Sequence, residues 1–295
     1  MKIDLHVHSK NSDGRFTVEQ IVAEAKARDI RLLSITDHDS IDCQTQAADI
    51  VKKVGGLRYV CGVELNVTFS NSRFRENKPV ALDFLGYKFD PDNKALRQKL
   101  DLIANYREER GAKILENLNK ELLKEDIGTL GKKDLAEIEA SVDGVLGRPH
   151  IADYLVKKQI VKTRQEAFDK YLVKCDVPKY PLYLQEASLL IRNAGGRLVL
   201  AHPNDPHGTS LSTLTKSLTE QTSIILESML PFIDGIECWH SRNDDSTTQH
   251  YVDFAKKQAL IMTGGSDCHQ KPVLMGSVEI PVWVAGQLVF HNSSA

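Results

Sequence analysis

Ile3-Asp4-Leu5-His6-Val7-His8 decides how this 295-residue chain is read. Apolar Ile3, Leu5 and Val7 alternate with Asp4, His6 and His8. A period of two is the strand pattern, with the aliphatics on one face and both imidazoles on the other. Two imidazoles so placed present nitrogens to one point, and imidazole is a common ligand of zinc, manganese and iron. A pair of surface histidines at a chain start gives the same pattern, so the hexapeptide alone leaves both readings open. A polar loop over residues 9–15 follows and carries Asp13.

Working outward, Val18, Ile21, Val22 and Ala25 recur at helical spacing, with Thr17 as N-cap and Gln20 completing a capping box. Leu32-Leu33-Ser34-Ile35 reads as a buried strand ending in Thr36-Asp37-His38-Asp39, and a helix to about Val54 follows. Strand 59–63 ends in Glu64, and strand 80–87 contains Asp83. Strand alternating with helix predicts right-handed βαβ units and a parallel sheet. Residues 91–185 change texture: apolar residues take helical spacing, charge is dense, and residues 144–149 break the pattern. This stretch is expected to be a helical insertion capping a barrel built from residues 1–90 and 186–295. The barrel pattern resumes with strand 197–201 before His202-Pro203, a helix over 211–230, and strand 235–239 before His240. Strand 260–263 then opens into Gly264-Gly265-Ser266-Asp267-Cys268-His269, and a last β-like run covers 276–284.

The net charge of −2 gives no reason to expect long nucleic acid as a partner. No run approaches the roughly 18 apolar residues of a membrane span, and no secretory h-region follows Met1. Five scattered cysteines without a Cys-x-x-Cys pair suit reduced thiols, so a cytoplasmic location is expected. Oligomeric state is not legible.

His6, His8, His38, Glu64, His202, Asp267 and His269 all fall at or just past an expected strand end. In a parallel barrel those ends share one rim, the active face. His6-Val7-His8, Thr36-Asp37-His38-Asp39, Gly62-Val63-Glu64, Ala201-His202-Pro203 and Gly265-Ser266-Asp267-Cys268-His269 occur in the order of the motifs of the PHP (polymerase and histidinol phosphatase) superfamily, which the chain resembles. The insertion after the fourth strand resembles its nucleoside bisphosphate and AMP phosphatase-like branch. The resemblance implies an α/β fold, a distorted (β/α)7 barrel of PHP type with a helical insertion, and two or three divalent cations (manganese, iron or zinc). It implies His6, His8, Glu64 and Asp267 on a first cation and Asp13, His38 and His269 on a second. Glu64, His202 and Asp83 would hold a third. Relatives usually carry histidine at the position of Asp83, and glycine and arginine where Asn204 and Asp205 follow His202-Pro203.

Asp37 and Asp39 would either orient ligand imidazoles or cap the next helix. Cys268, between two expected ligands, should face the opposite way and pack. Arg107 and Arg110 share a helix face, and Arg148-Pro149-His150 lies in the break. By resemblance these four residues, Arg107, Arg110, Arg148 and His150, would bind substrate phosphate. The alternative for Arg107 and Arg110 is a solvated face beside Glu108 and Glu109. His240 would contact substrate or give a proton to the leaving oxygen, or else be a core or surface histidine, and His207 is a further rim candidate. The expected activity is metal-dependent hydrolysis of a small phosphomonoester, most consistent with a nucleotide. The alternatives are a histidinol-phosphate-type phosphatase, a 5′-end exoribonuclease and a non-catalytic metal-binding module.

Overall fold

The computed structural model describes residues 1–74, 78–141 and 147–288, without the side chain of Glu108. Part of the expected break at 144–149 therefore lies outside the described residues. Strands β1 (Lys2–Asp4), β2 (Ile30–Leu33) and β3 (Arg58–Tyr59) form a parallel sheet. Helices α1 (Val18–Ala27) and α2 (Gln44–Val54) cross between them. Thr17 and Gln20 form the expected capping box, so α1 starts where two orphan N–H groups are satisfied at once. Its apolar stripe, Val18, Ile21, Val22 and Ala25, is buried with Val7, Ile30 and Leu33.

A second sheet takes β4 (Gly62–Phe69), β5 (Val80–Tyr87), β6 (Arg197–Leu200), β7 (Gly235–His240) and β8 (Ile261–Gly265). Here the structure corrects the all-parallel expectation: β5 runs antiparallel to both β4 and β6. The connection from Phe69 to Val80 is too short for a crossover helix, so the chain turns back as a hairpin. The ladders form two sheets rather than one ring of parallel strands. Irregular backbone contacts join them, with Leu5 N donating to Gly264 O and an isolated bridge pairing His38 with Glu64.

Further bounds differ. β1 stops at Asp4, so His6 and His8 lie beyond it. Val63, Leu65, Val67 and Phe69 keep β4 apolar on alternate residues, which carries the strand past Glu64. Residues 276–284 form no strand, and α10 (Val284–Leu288) closes the described chain. The segment 211–230 divides into a 3₁₀ turn (Leu211–Thr213), α8 (Leu218–Ile224) and a π turn (Ile225–Met229). Helix α9 (Asp245–Lys257) lies between β7 and β8.

Residues 94–172 are mostly helical: α3 (Lys94–Lys124), α4 (Lys132–Glu139), α5 (Arg148–Lys157), α6 (Arg164–Ala167) and a π turn (Phe168–Leu172). Helix α7 (Leu184–Asn193) leads back to β6. α3 belongs to two cores. Leu96, Leu100 and Ile103 pack with the second sheet, whereas Ile114, Leu115, Leu118 and Leu122 pack with Ile151, Leu155, Tyr171 and Leu172. Each such leucine contributes about 1.5–3 kcal/mol on burial, so α3 is anchored at both ends. Arg107 and Arg110 sit at the junction. Among the described residues, no helix is long and apolar enough to cross a membrane.

Candidate functional site

Residues 5–8 thread as an irregular extension of β1 between two other segments. Thr36 N donates to Val7 O at 2.8 Å, His8 N to Cys268 O at 3.1 Å, and Asp267 N to His6 O at 2.8 Å. Leu5 and Val7 turn into the core. His6 and His8 therefore meet Asp267 and His269, while the pairing of His38 with Glu64 brings in the end of the β2 segment. Cys268 packs in the core, as its alternation predicts.

All the expected metal ligands converge. His6 Nε2 and His8 Nε2 are 3.1 Å apart. Glu64 Oε2 lies 3.3 Å from the first, 3.1 Å from the second and 3.2 Å from His38 Nδ1. Asp267 Oδ1 is 3.5 Å from His6 Nε2 and 3.3 Å from His8 Nε2. Asp13 meets His269 Nε2 at 3.2 Å, and His202 Nε2 meets Glu64 Oε1 at 2.9 Å and Asp83 Oδ2 at 3.9 Å. Asp83 is also held by the side chains of Asn66 and Thr209. Asp39, His202 and Asp267 adopt left-handed backbone, with φ of 49°, 23° and 54°. Such conformations cost energy in non-glycine residues and persist where the surroundings over-determine them.

The donor set fits divalent cations. Two ring nitrogens facing across 3.1 Å leave room for one hydrogen at most, and carboxylate oxygens converge on the same space. Buried His8 Nδ1 and His202 Nδ1 have no hydrogen-bond partner. Buried polar atoms are otherwise almost always satisfied. The field is strongly negative. Burial opposes charging of His8, but Asp267 and Glu64 overcome it and raise the imidazole to about 10. Burial likewise opposes charging of His202, yet Glu64 raises it to about 9. Burial, and then the neighbouring Glu64, pushes Asp83 up.

A layer behind this cluster includes residues that the sequence reading missed or misplaced. Glu237, fully buried in β7, accepts from His6 Nδ1 at 3.0 Å and so turns Nε2 inward. Its only sequence signal is a lone carboxylate in an apolar strand. Asp37 neither orients an imidazole nor caps α2. It accepts from Ser9 N, Ser9 Oγ and Ser12 Oγ, pinning the loop that carries Asp13. Asp39 accepts from Asn66 N and pairs with Arg107. His240 is the core histidine of its alternatives rather than a substrate contact: it is buried behind Asp267, 3.6 Å from Oδ2, and does not line the cavity.

A cavity of about 380 Å³ opens over the cluster. Arg107, Arg110, Arg148 and His150 all line it, together with His207, Arg242 and Lys179. The arginines are braced: Arg107 by Asp39, Arg110 and Arg148 together by Asp176, and the exposed Arg242 by buried Asp205. His150 Nδ1 accepts from Gly147 N at 2.9 Å at the start of α5. Burial lowers that imidazole below its usual range. Arg242 and Lys179 carry no motif, and only the fold brings them here.

The sequence profile of the PHP domain matches residues 4–174. A 3′,5′-nucleoside bisphosphate phosphatase of Chromobacterium violaceum is 29% identical over 90% of this chain and 87% of its own. A 5′-3′ exoribonuclease, Rnm, of Salmonella typhimurium is 27% identical over 90% of this chain and 85% of its own. The structure of an inferred metal-dependent phosphoesterase from Bifidobacterium adolescentis superposes with a TM-score of 0.79 at 26% identity, covering 97% of this chain and 94% of that one.

Proposed function

The chain belongs to the PHP domain family and is a metal-dependent phosphoester hydrolase, and from that premise we propose that it removes a phosphate from a small nucleotide, a 3′,5′-nucleoside bisphosphate or an AMP-like monophosphate. The observation that carries this reading is a single one. The histidine–carboxylate cluster forms the floor of a cavity of about 380 Å³ whose walls bear Arg107, Arg110 and Arg148. That volume is of the order of small-ligand pockets, about 300–1,000 Å³.

In this reading His6, His8, Glu64 and Asp267 hold one divalent cation, and His8, Asp13, His38 and His269 a neighbour. Glu64, His202 and Asp83 offer a third position. Manganese, iron or zinc suits this mixture of imidazole and carboxylate. Such cations supply the positive charge that makes a phosphate electrophilic and a water acidic. The chain's own residues do the rest. Glu237 fixes the tautomer of His6, Asp37 holds the Asp13 loop, and the braced arginines offer planar forks to phosphate oxygens. Asp176 keeps Arg110 and Arg148 together and gives them up in part when phosphate arrives. His240 orients Asp267 and gives no proton to the leaving group.

A second reading, removal of 5′-terminal nucleotides from short RNA, is favoured by the similarity to Rnm. One screen separates the two: phosphate release from 3′,5′-bisphosphoadenosine and AMP against nucleotide release from a 5′-phosphorylated RNA, in manganese. Faster turnover of the bisphosphate or AMP supports the small-nucleotide reading, and turnover of RNA alone overturns it.

A further inference from the structure

The cations of the cavity differ in whether a carboxylate touches them. Every arginine on its wall has a carboxylate partner: Asp39 for Arg107, Asp176 for Arg110 and Arg148, Asp205 for Arg242. Lys179 lines the same cavity, and among the described residues no carboxylate lies within ion-pair distance of its Nζ. It is half-buried.

The segment carrying it is fixed from α3. Tyr106 Oη donates to Pro178 O at 3.1 Å, the Tyr106 and Tyr180 rings meet edge-on at 5.5 Å, and Arg110 Nε donates to Val177 O. Lys99 Nζ sits 4.8 Å from the Tyr180 ring centre on the other flank. A lysine placed this way is preorganised. Burial lowers its ammonium to about 8 although the field of Asp83 works to raise it. Partial desolvation of an unpaired charge is unfavourable, and an arriving dianion offsets that cost. Perturbed groups in a cleft are functional candidates for this reason.

We propose that Lys179 binds the phosphoryl group of the substrate, as the cavity-lining cation that no carboxylate among the described residues holds in an ion pair. The inference rests on the phosphoesterase reading above and adds a substrate contact to it.

The test uses inorganic phosphate on the manganese-loaded protein. Calorimetry compares wild type with Lys179→Met and Lys179→Arg, and mass spectrometry follows acylation of the wild-type Lys179 amine with and without phosphate at matched ionic strength. The expected results are a loss of phosphate affinity of about 10- to 100-fold in Lys179→Met, the worth of one charge-assisted hydrogen bond, largely restored in Lys179→Arg. Phosphate should also slow acylation of Lys179. The labelling arm needs no variant, so misfolding of Lys179→Met leaves the test intact. Wild type that binds phosphate while Lys179 stays unprotected and Lys179→Met binds equally well overturns this inference and leaves the phosphoesterase reading standing. Wild type that neither binds phosphate nor hydrolyses a phosphomonoester overturns both.

Discussion

At the residue scale, most of the site follows from donor chemistry. A cation needs lone pairs, and in His6, His8, His38, His202 and His269 the sequence places nitrogens where strands give way to loops. The orienting partners were not legible, because Glu237 meets His6 across 231 positions of chain and no spacing rule spans that. Glu237 nevertheless carries a sharp expectation. Glu237→Gln removes the charge that sets the His6 tautomer and should weaken manganese affinity about 10- to 100-fold, read by competition with a chromophoric chelator. Unchanged affinity would reduce Glu237 to a packing residue. Arg148→Ala should raise KM for a phosphorylated substrate about 10-fold with kcat nearly constant, the signature of lost uniform binding. A fall in kcat at constant KM would place Arg148 in the chemistry instead.

At the element scale, the parallel pairs β1–β2 and β7–β8 were readable from apolar runs joined by helical spacing. The antiparallel β5 was not, since a buried strand reads alike in either direction. The site depends on how closely the β1 extension approaches β8. A Cβ added to Gly265 would lie 2.3 Å from His6 Cβ and 2.5 Å from His6 N. Backbone cannot yield as a flexible side chain does, so Gly265→Ala must push residues 5–8 away from Asp267. Thermal unfolding should show a stability loss of about 1–3 kcal/mol or more, together with weaker manganese binding. A variant as stable as wild type would mean that the two segments are not held this tightly. Helix α3 is the other decisive element: it joins both cores and fixes the distance from Arg107 and Arg110 to the rim.

At the scale of the whole molecule, the two-sheet body supplies a negative floor, and residues 94–180 together with Arg242 supply the positive charge of the walls. This polarity was only half legible. The ligand set stood out, but the pairings of Asp176 with two arginines and of Asp205 with Arg242 are products of tertiary structure. The charge on the floor couples cation uptake to pH. His8, raised to about 10, and His202, raised to about 9, carry protons at pH 7 in the cation-free protein. Coordination requires neutral imidazole. Cation uptake at pH 7 therefore releases protons, so affinity rises as pH climbs toward those values and falls on acidification. Calorimetry at pH 7 in buffers of different ionisation enthalpy should detect that release. Equal heats in every buffer would contradict the assignment of these imidazoles as ligands.

The most direct measurement is phosphate release from 3′,5′-bisphosphoadenosine before chelation, after chelation, and after stoichiometric return of manganese. The protein should lose activity with its cations and regain it as about two to three equivalents per chain are restored, while His8→Ala stays several orders of magnitude slower throughout. Hydrolysis that continues at full rate in the chelated protein would contradict the account.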